Sequence, residues 1–182
     1  TDEELESGID ALIRRAEEFE SIAHLQLARG AAGITCAKLG EALDLCEAGI
    51  SNIVIANQVV QKEKLPVLAA LAGRCRLTVC VDHARNVLDL EAAMAEVGGK
   101  LHLLVEYDVG MGRCGVSTRE EFLALAQLIG QQPHLVFEGI QAYAGHLSHE
   151  ENGEKRFFQI YKYRSMKMCT PKDCPTHLLE NP

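Results

Sequence analysis

The chain has 182 residues, of which 47% are apolar and 24% charged, and its formal net charge is -8. That length and composition suit one domain with a sizeable core and exclude an intrinsically disordered chain. The negative charge argues against a nucleic-acid partner, and no apolar run approaches the ~20 residues of a membrane span.

The charge is uneven along the chain. Residues 1–20 carry eight acids and two arginines, residues 21–150 fourteen acids and ten bases, and residues 151–182 four acids and six bases. The acidic start has neither a basic region nor an apolar stretch of the signal-peptide kind, so a cytoplasmic location is expected. Seven cysteines, Cys36, Cys46, Cys75, Cys80, Cys114, Cys169 and Cys174, are scattered and sit mostly in apolar runs. That usage predicts reduced thiols and no disulfide framework.

Residues 3–30 read as helix, with Leu5, Ile9, Leu12, Ile13 and Ala16 on one stripe and a stop at Gly30. Five short apolar runs follow: GITC (33–36), NIVIA (52–56), LTVCV (77–81), LHLLVEY (101–107) and LVFEGIQAY (135–143). Near-continuous apolar character predicts strands covered on both faces. Helical segments alternate with them. The first places Leu39, Ala42, Leu43 and Cys46 on one face and closes at Gly49. The second closes at Gly73, and the third carries Val87, Leu90, Ala93, Met94 and Val97 before a glycine pair. The fourth follows Ser117 and Thr118, candidate N-caps, with Glu120 and Glu121 in its first turn. The β-α-β-α-β-α-β-α-β order predicts an α/β fold with about five parallel strands and outer helices, an incomplete (β/α) barrel. Three parts are expected: a helical segment (1–32), the partial barrel (33–149) and a tail (150–182).

Parallel α/β folds gather ligands at the carboxyl ends of their strands. Here those ends carry Thr35 and Lys38, Asn57 and Gln58, Asp82 and His83, Asp108 with Arg113, and Tyr143 with His146 and His149. Polar residues at strand ends often do no more than face solvent, and His146 and His149 without a carboxylate partner read that way. Arg113 differs, because glycines flank it in DVGMGRCGV and let the backbone approach a ligand closely. A guanidinium that cannot lose its proton holds an anionic oxygen; it does not act as a base.

The segments GITCAKLGEA, ANQVV, TVCVDHARNV, LLVEYDVGMGRCGV and GIQAYAGHLSH resemble the barrel domain of the D-threonine aldolase, D-3-hydroxyaspartate aldolase and D-serine dehydratase family. These are fold-type III pyridoxal 5′-phosphate enzymes related to alanine racemase, and the likeness runs from about Ser21 to His149. It implies a pyridoxal-phosphate-dependent lyase acting on small D-β-hydroxy amino acids, with a homodimer as an assembly such a fold permits. It places Arg113 against the cofactor near its phenolate oxygen and Tyr143, in the QAY strand, near the pyridine ring. Asn57 and Asp82 complete the expected cofactor-binding set, and all four are expected to point into one cleft.

The pattern also departs from the family. Its Schiff-base lysine belongs to a motif like RPHAKTHK, but here the corresponding stretch reads LIRRAEEFE, with Arg15 at the lysine position. Lys38 lies in a motif where relatives carry an additional lysine. The first barrel strand, the GGGTG-like phosphate loop and the C-terminal domain with its divalent metal site have no counterpart in these 182 residues. The expectation is therefore a family member incomplete in this chain, the alternatives being an inactive fragment or pseudoenzyme, or a pyridoxal-phosphate carrier. In the tail, Cys169, Cys174 and His177 offer three loosely spaced ligands and no fourth, so solvated tail is expected and no metal site.

Overall fold

The computed structural model describes residues 19–154. The start of the predicted N-terminal helix, Arg15 and the cysteine-bearing tail with Cys169, Cys174 and His177 lie outside the described residues. Among the described residues, 19–28 are helical, here α1. It turns off through Gly30, at φ +95°. Ala23 is buried in the core and Leu27 packs against it.

One parallel sheet follows in the order β1-β2-β3-β4-β5. Its strands are β1 (Ile34–Cys36), β2 (Asn52–Gln58), β3 (Arg76–Val81), β4 (Leu101–Glu106) and β5 (Leu135–Gln141). Sequential neighbours pair throughout, and Thr78 to Val81 lie opposite His102 to Val105 in parallel register. Helices α2 (Leu39–Glu47), α3 (Leu65–Ala72), α4 (Ala84–Val97) and α5 (Arg119–Gly130) connect them, which makes the architecture an arc of a (β/α) barrel. No helix among the described residues is long and apolar enough to cross a membrane.

The apolar runs explain the layering. Leu77 to Val81 of the central strand are all buried. In β2 and β4, Ile53, Ile55, Leu101, Leu103 and Val105 are fully buried in the core, while the residues between them face the other side of the sheet. Onto this layer pack Leu68 and Leu71 of α3, Leu90 and Met94 of α4, and Ile129 of α5. Phe122 and Phe137 add an edge-to-face pair at 6.1 Å.

Helix ends follow local chemistry. Thr118 caps α5: its hydroxyl accepts from Glu121 N, and the Glu121 carboxylate reaches back to Ser117 N and Thr118 N. Gly49 and Gly98 take the left-handed conformation expected of terminating glycines. Gly73 does not; it sits at φ −77° and hydrogen-bonds within a right-handed turn, a geometry any residue adopts. The apolar stripe of α4 ends at Met94, because Val97 lies on the last turn and is half exposed. Strand β5 stops at Gln141, whose carbonyl accepts from Tyr107 N. Tyr143 is thus two residues past the strand and not within it.

Candidate functional site

The turn after β4 is tied down at three points. The Asp108 carboxylate accepts from Gly110 N at 2.8 Å and from Gly112 N at 3.1 Å. Those bonds, Gly112 first, hold its carboxyl below the ordinary 3.8, with a smaller contribution from His146. Asp82, just past β3, accepts from Gly115 N at 3.0 Å. Val116 then closes the loop against the end of β4, donating to Glu106 O and accepting from Asp108 N. Gly110, Gly112 and Gly115 all have positive φ, which lets seven residues double back on themselves.

Arg113 stands at the tip. Its guanidinium carbon lies 5.4 Å from the centre of the Tyr143 ring, a cation–π contact, and its side chain is 55% exposed. One guanidinium nitrogen is 3.6 Å from Glu106 Oε1. Glu106 follows the core residue Val105 and so points away from the helices; it is only 4% exposed. Gln58 Nε2 donates to its Oε2 at 2.6 Å, and the Cys114 thiol donates to Oε1 at 3.0 Å. Burial and this bond to Glu106 raise the Cys114 thiol pKa. Burial, then the nearby Glu106 charge, pushes Cys80 up to about 12. The five described cysteines are free thiols.

The four predicted rim residues all lie at or just past the carboxyl ends of their strands. Arg113 and Tyr143 touch. Asp82 is tied to the same turn through the Gly115 amide and lines a cleft of about 360 Å³ with His83 and Glu121. Asn57 lines another of about 760 Å³, with Lys38 and Lys64, and its amide is spent on Ala37 O. Glu106, absent from the predicted set, sits at the centre instead. His146 is half-buried, and its Nδ1 has no hydrogen-bond partner among the described residues. Among the described residues no group of three or more His, Cys, Asp or Glu is arranged to hold a metal ion.

A second polar cluster lies nearer the amino ends of the strands. Glu138 bonds Arg76 at 2.7 Å and lies 2.5 Å from His102 Nδ1. Burial raises the Glu138 pKa, but the bonds from Arg76 and His102 outweigh it and leave the carboxyl below its ordinary 4.5. Glu121 is held below 4.5 by the Ser117 amide and then Thr118. A folded-state pKa below the unfolded one contributes stability above the unfolded value and loses it as pH falls through the folded one. Unfolding midpoints in urea should therefore hold from pH 7 to about 5 and drop below about 4.5, and Glu138→Gln should flatten that drop. An equal slope in the variant would remove Glu138 from the account.

Known proteins share this sequence and fold. The family model described as "Alanine racemase, N-terminal domain" matches residues 16–173, beginning within the N-terminal segment and ending within the tail. A D-threonine aldolase of Arthrobacter sp. is 45% identical over 78% of this chain and 38% of its own length. A 3-hydroxy-D-aspartate aldolase of Paracoccus denitrificans is 39% identical over 70% of this chain and 33% of its own. The chain thus spans about a third of the length of the curated relatives it matches. The crystal structure of D-threonine aldolase from Filomicrobium marinum superposes with a TM-score of 0.77 at 39% identity, covering 79% of this chain and 38% of that one. With five parallel strands in sequential order and the family match running over most of its length, the chain belongs to the alanine racemase N-terminal domain family.

Proposed function

We propose that this chain supplies the cofactor-facing rim of a pyridoxal 5′-phosphate-dependent lyase acting on small D-β-hydroxy amino acids. The observation that carries the reading is Arg113. A permanently charged guanidinium stands at the carboxyl end of a central strand, on a glycine turn, with one side toward Glu106 and one face on Tyr143. More than half of it remains open to a ligand. The names of the similar proteins, D-threonine aldolase and 3-hydroxy-D-aspartate aldolase, support the substrate class.

The residues present fit one side of such a cofactor. Arg113 is a donor set for an anionic aromatic oxygen, and Tyr143 offers an aromatic face beside it. Asp82 and Asp108 act on neither directly; they hold the turn that aims Arg113. Asn57 and Lys38 line the adjoining cleft, where the Lys38 ammonium suits the carboxylate of an amino acid. Bound pyridoxal phosphate would supply the electron sink for cleavage at the substrate's α-carbon. Arg113 would hold the phenolic oxygen's negative charge and, unable to give up its proton, would keep that oxygen ionised.

Arg113→Ala tests this. One charge-assisted hydrogen bond contributes about 1.5–3 kcal/mol, so the dissociation constant for pyridoxal phosphate should rise roughly tenfold to a hundredfold. Equilibrium dialysis of the full chain measures it. Unchanged affinity would remove Arg113 from the cofactor site.

A further inference from the structure

We infer that Glu106 is the positioning residue of this rim: its buried carboxylate, anchored by Gln58, fixes the direction in which Arg113 presents its guanidinium. The inference rests on the reading of Arg113 as the group that holds the ligand's anionic oxygen.

A carboxylate that is 4% exposed must have its oxygens satisfied by donors. Here the two oxygens are divided between two parts of the fold. Oε2 takes the Gln58 amide, from β2, across the intervening strand β3. Oε1 takes the Cys114 thiol and faces the Arg113 guanidinium. Two consecutive residues of the glycine turn therefore aim at one oxygen, whereas the other oxygen is fastened to the sheet. The anchor on Gln58 does not depend on the turn, so the charge has a fixed place whether or not Arg113 is engaged.

That fixed charge is what a long, exposed arginine needs. Tyr143 supplies a face against which the guanidinium can slide, but an aromatic face does not set its direction. The carboxylate does, by drawing one N–H edge inward and leaving the remaining edge outward. The amide of a glutamine could not substitute. With donors approaching both oxygens, its NH₂ would be set against either Gln58 or the Cys114–Arg113 pair. Glu106 thus acts through Arg113 and is not expected to touch the ligand.

The test compares Glu106→Gln, Gln58→Ala, Arg113→Ala and the Glu106→Gln/Arg113→Ala double variant in the full chain. The rate of phenylglyoxal modification at Arg113, followed by peptide mapping, reads the arginine without any cofactor. The dissociation constant for pyridoxal phosphate reads the site. Glu106→Gln should speed modification at least threefold and weaken binding about tenfold. Gln58→Ala, which keeps the carboxylate but frees one oxygen, should shift both in the same direction by less. In the Arg113→Ala background Glu106→Gln should change affinity less than twofold. A wild-type modification rate in both single variants overturns the inference, as do Glu106→Gln and Arg113→Ala effects that simply multiply. If Glu106→Gln does not fold, the modification rate in Gln58→Ala decides alone. Should Arg113→Ala leave affinity unchanged while Arg113 modification still responds to Glu106→Gln, the positioning stands and the cofactor reading falls.

Discussion

Incubated with pyridoxal 5′-phosphate and reduced with borohydride, the 182-residue chain is expected to carry no stoichiometric label on any one lysine. It is also expected to release no glycine and acetaldehyde from D-threonine. The chemistry at the α-carbon begins with a covalent link that only an amine can make. By the family resemblance the lysine that makes it corresponds to Arg15, whose guanidinium cannot. A glycine-rich loop that would cradle the phosphate does not occur in the sequence either. What remains is Arg113, good for about 1.5–3 kcal/mol, against the roughly 8 kcal/mol of a micromolar complex. Binding should therefore be weak and reversible, and turnover should lie at the level of free pyridoxal phosphate. Peptide mapping of the reduced protein and an acetaldehyde assay decide it. Stoichiometric label at Lys38, which lines the cleft beside Asn57, together with turnover, would show that this chain is sufficient as it stands.

The sheet was legible because each strand is a short apolar run closed by a helix with its own stop. Arg113 was legible as well, since glycines on both sides of an arginine are a local signal. Glu106 was not. A strand covered on both faces shows no alternation, so one acid among LHLLVEY reads as a strand end and not as a buried anion. Its meaning comes from Gln58, 48 residues away, and from Cys114, whose approach depends on the doubled-back turn. The bond between Asp82 and the turn was hidden for a related reason. Strand ends on one rim are neighbours, but that the Asp82 carboxylate accepts from the Gly115 amide, 33 residues on, emerges only once the turn has doubled back. Tyr143 was placed in a strand by its apolar neighbours, although the ladder ends at Gln141.

Gly115→Ala should destabilise the chain by on the order of 3 kcal/mol and weaken pyridoxal-phosphate binding with it, from strain and lost bonds together. At φ +101° an alanine costs about 1–2 kcal/mol in backbone strain alone. Its Cβ would also stand 2.7 Å from Asp108 N, 2.9 Å from Tyr107 C and 3.0 Å from Glu106 O. All three are backbone atoms at the end of a core strand, so none can swing aside as a side chain would. The turn must lift away. Lifting it strains the Val116 N to Glu106 O and Asp108 N to Val116 O bonds, both 2.9 Å, and the Gly115 N bond to Asp82. It also carries Arg113 and Cys114 off Glu106, which is why affinity should fall along with stability. Gly112→Ala is the control: φ is +63° there, but nothing lies within 4 Å of the added carbon. Only backbone strain applies, so about 1 kcal/mol is expected. Urea midpoints at constant m-value measure both. If the two variants differ by less than about 1 kcal/mol, the contact between turn and strand is not what holds Arg113 in place.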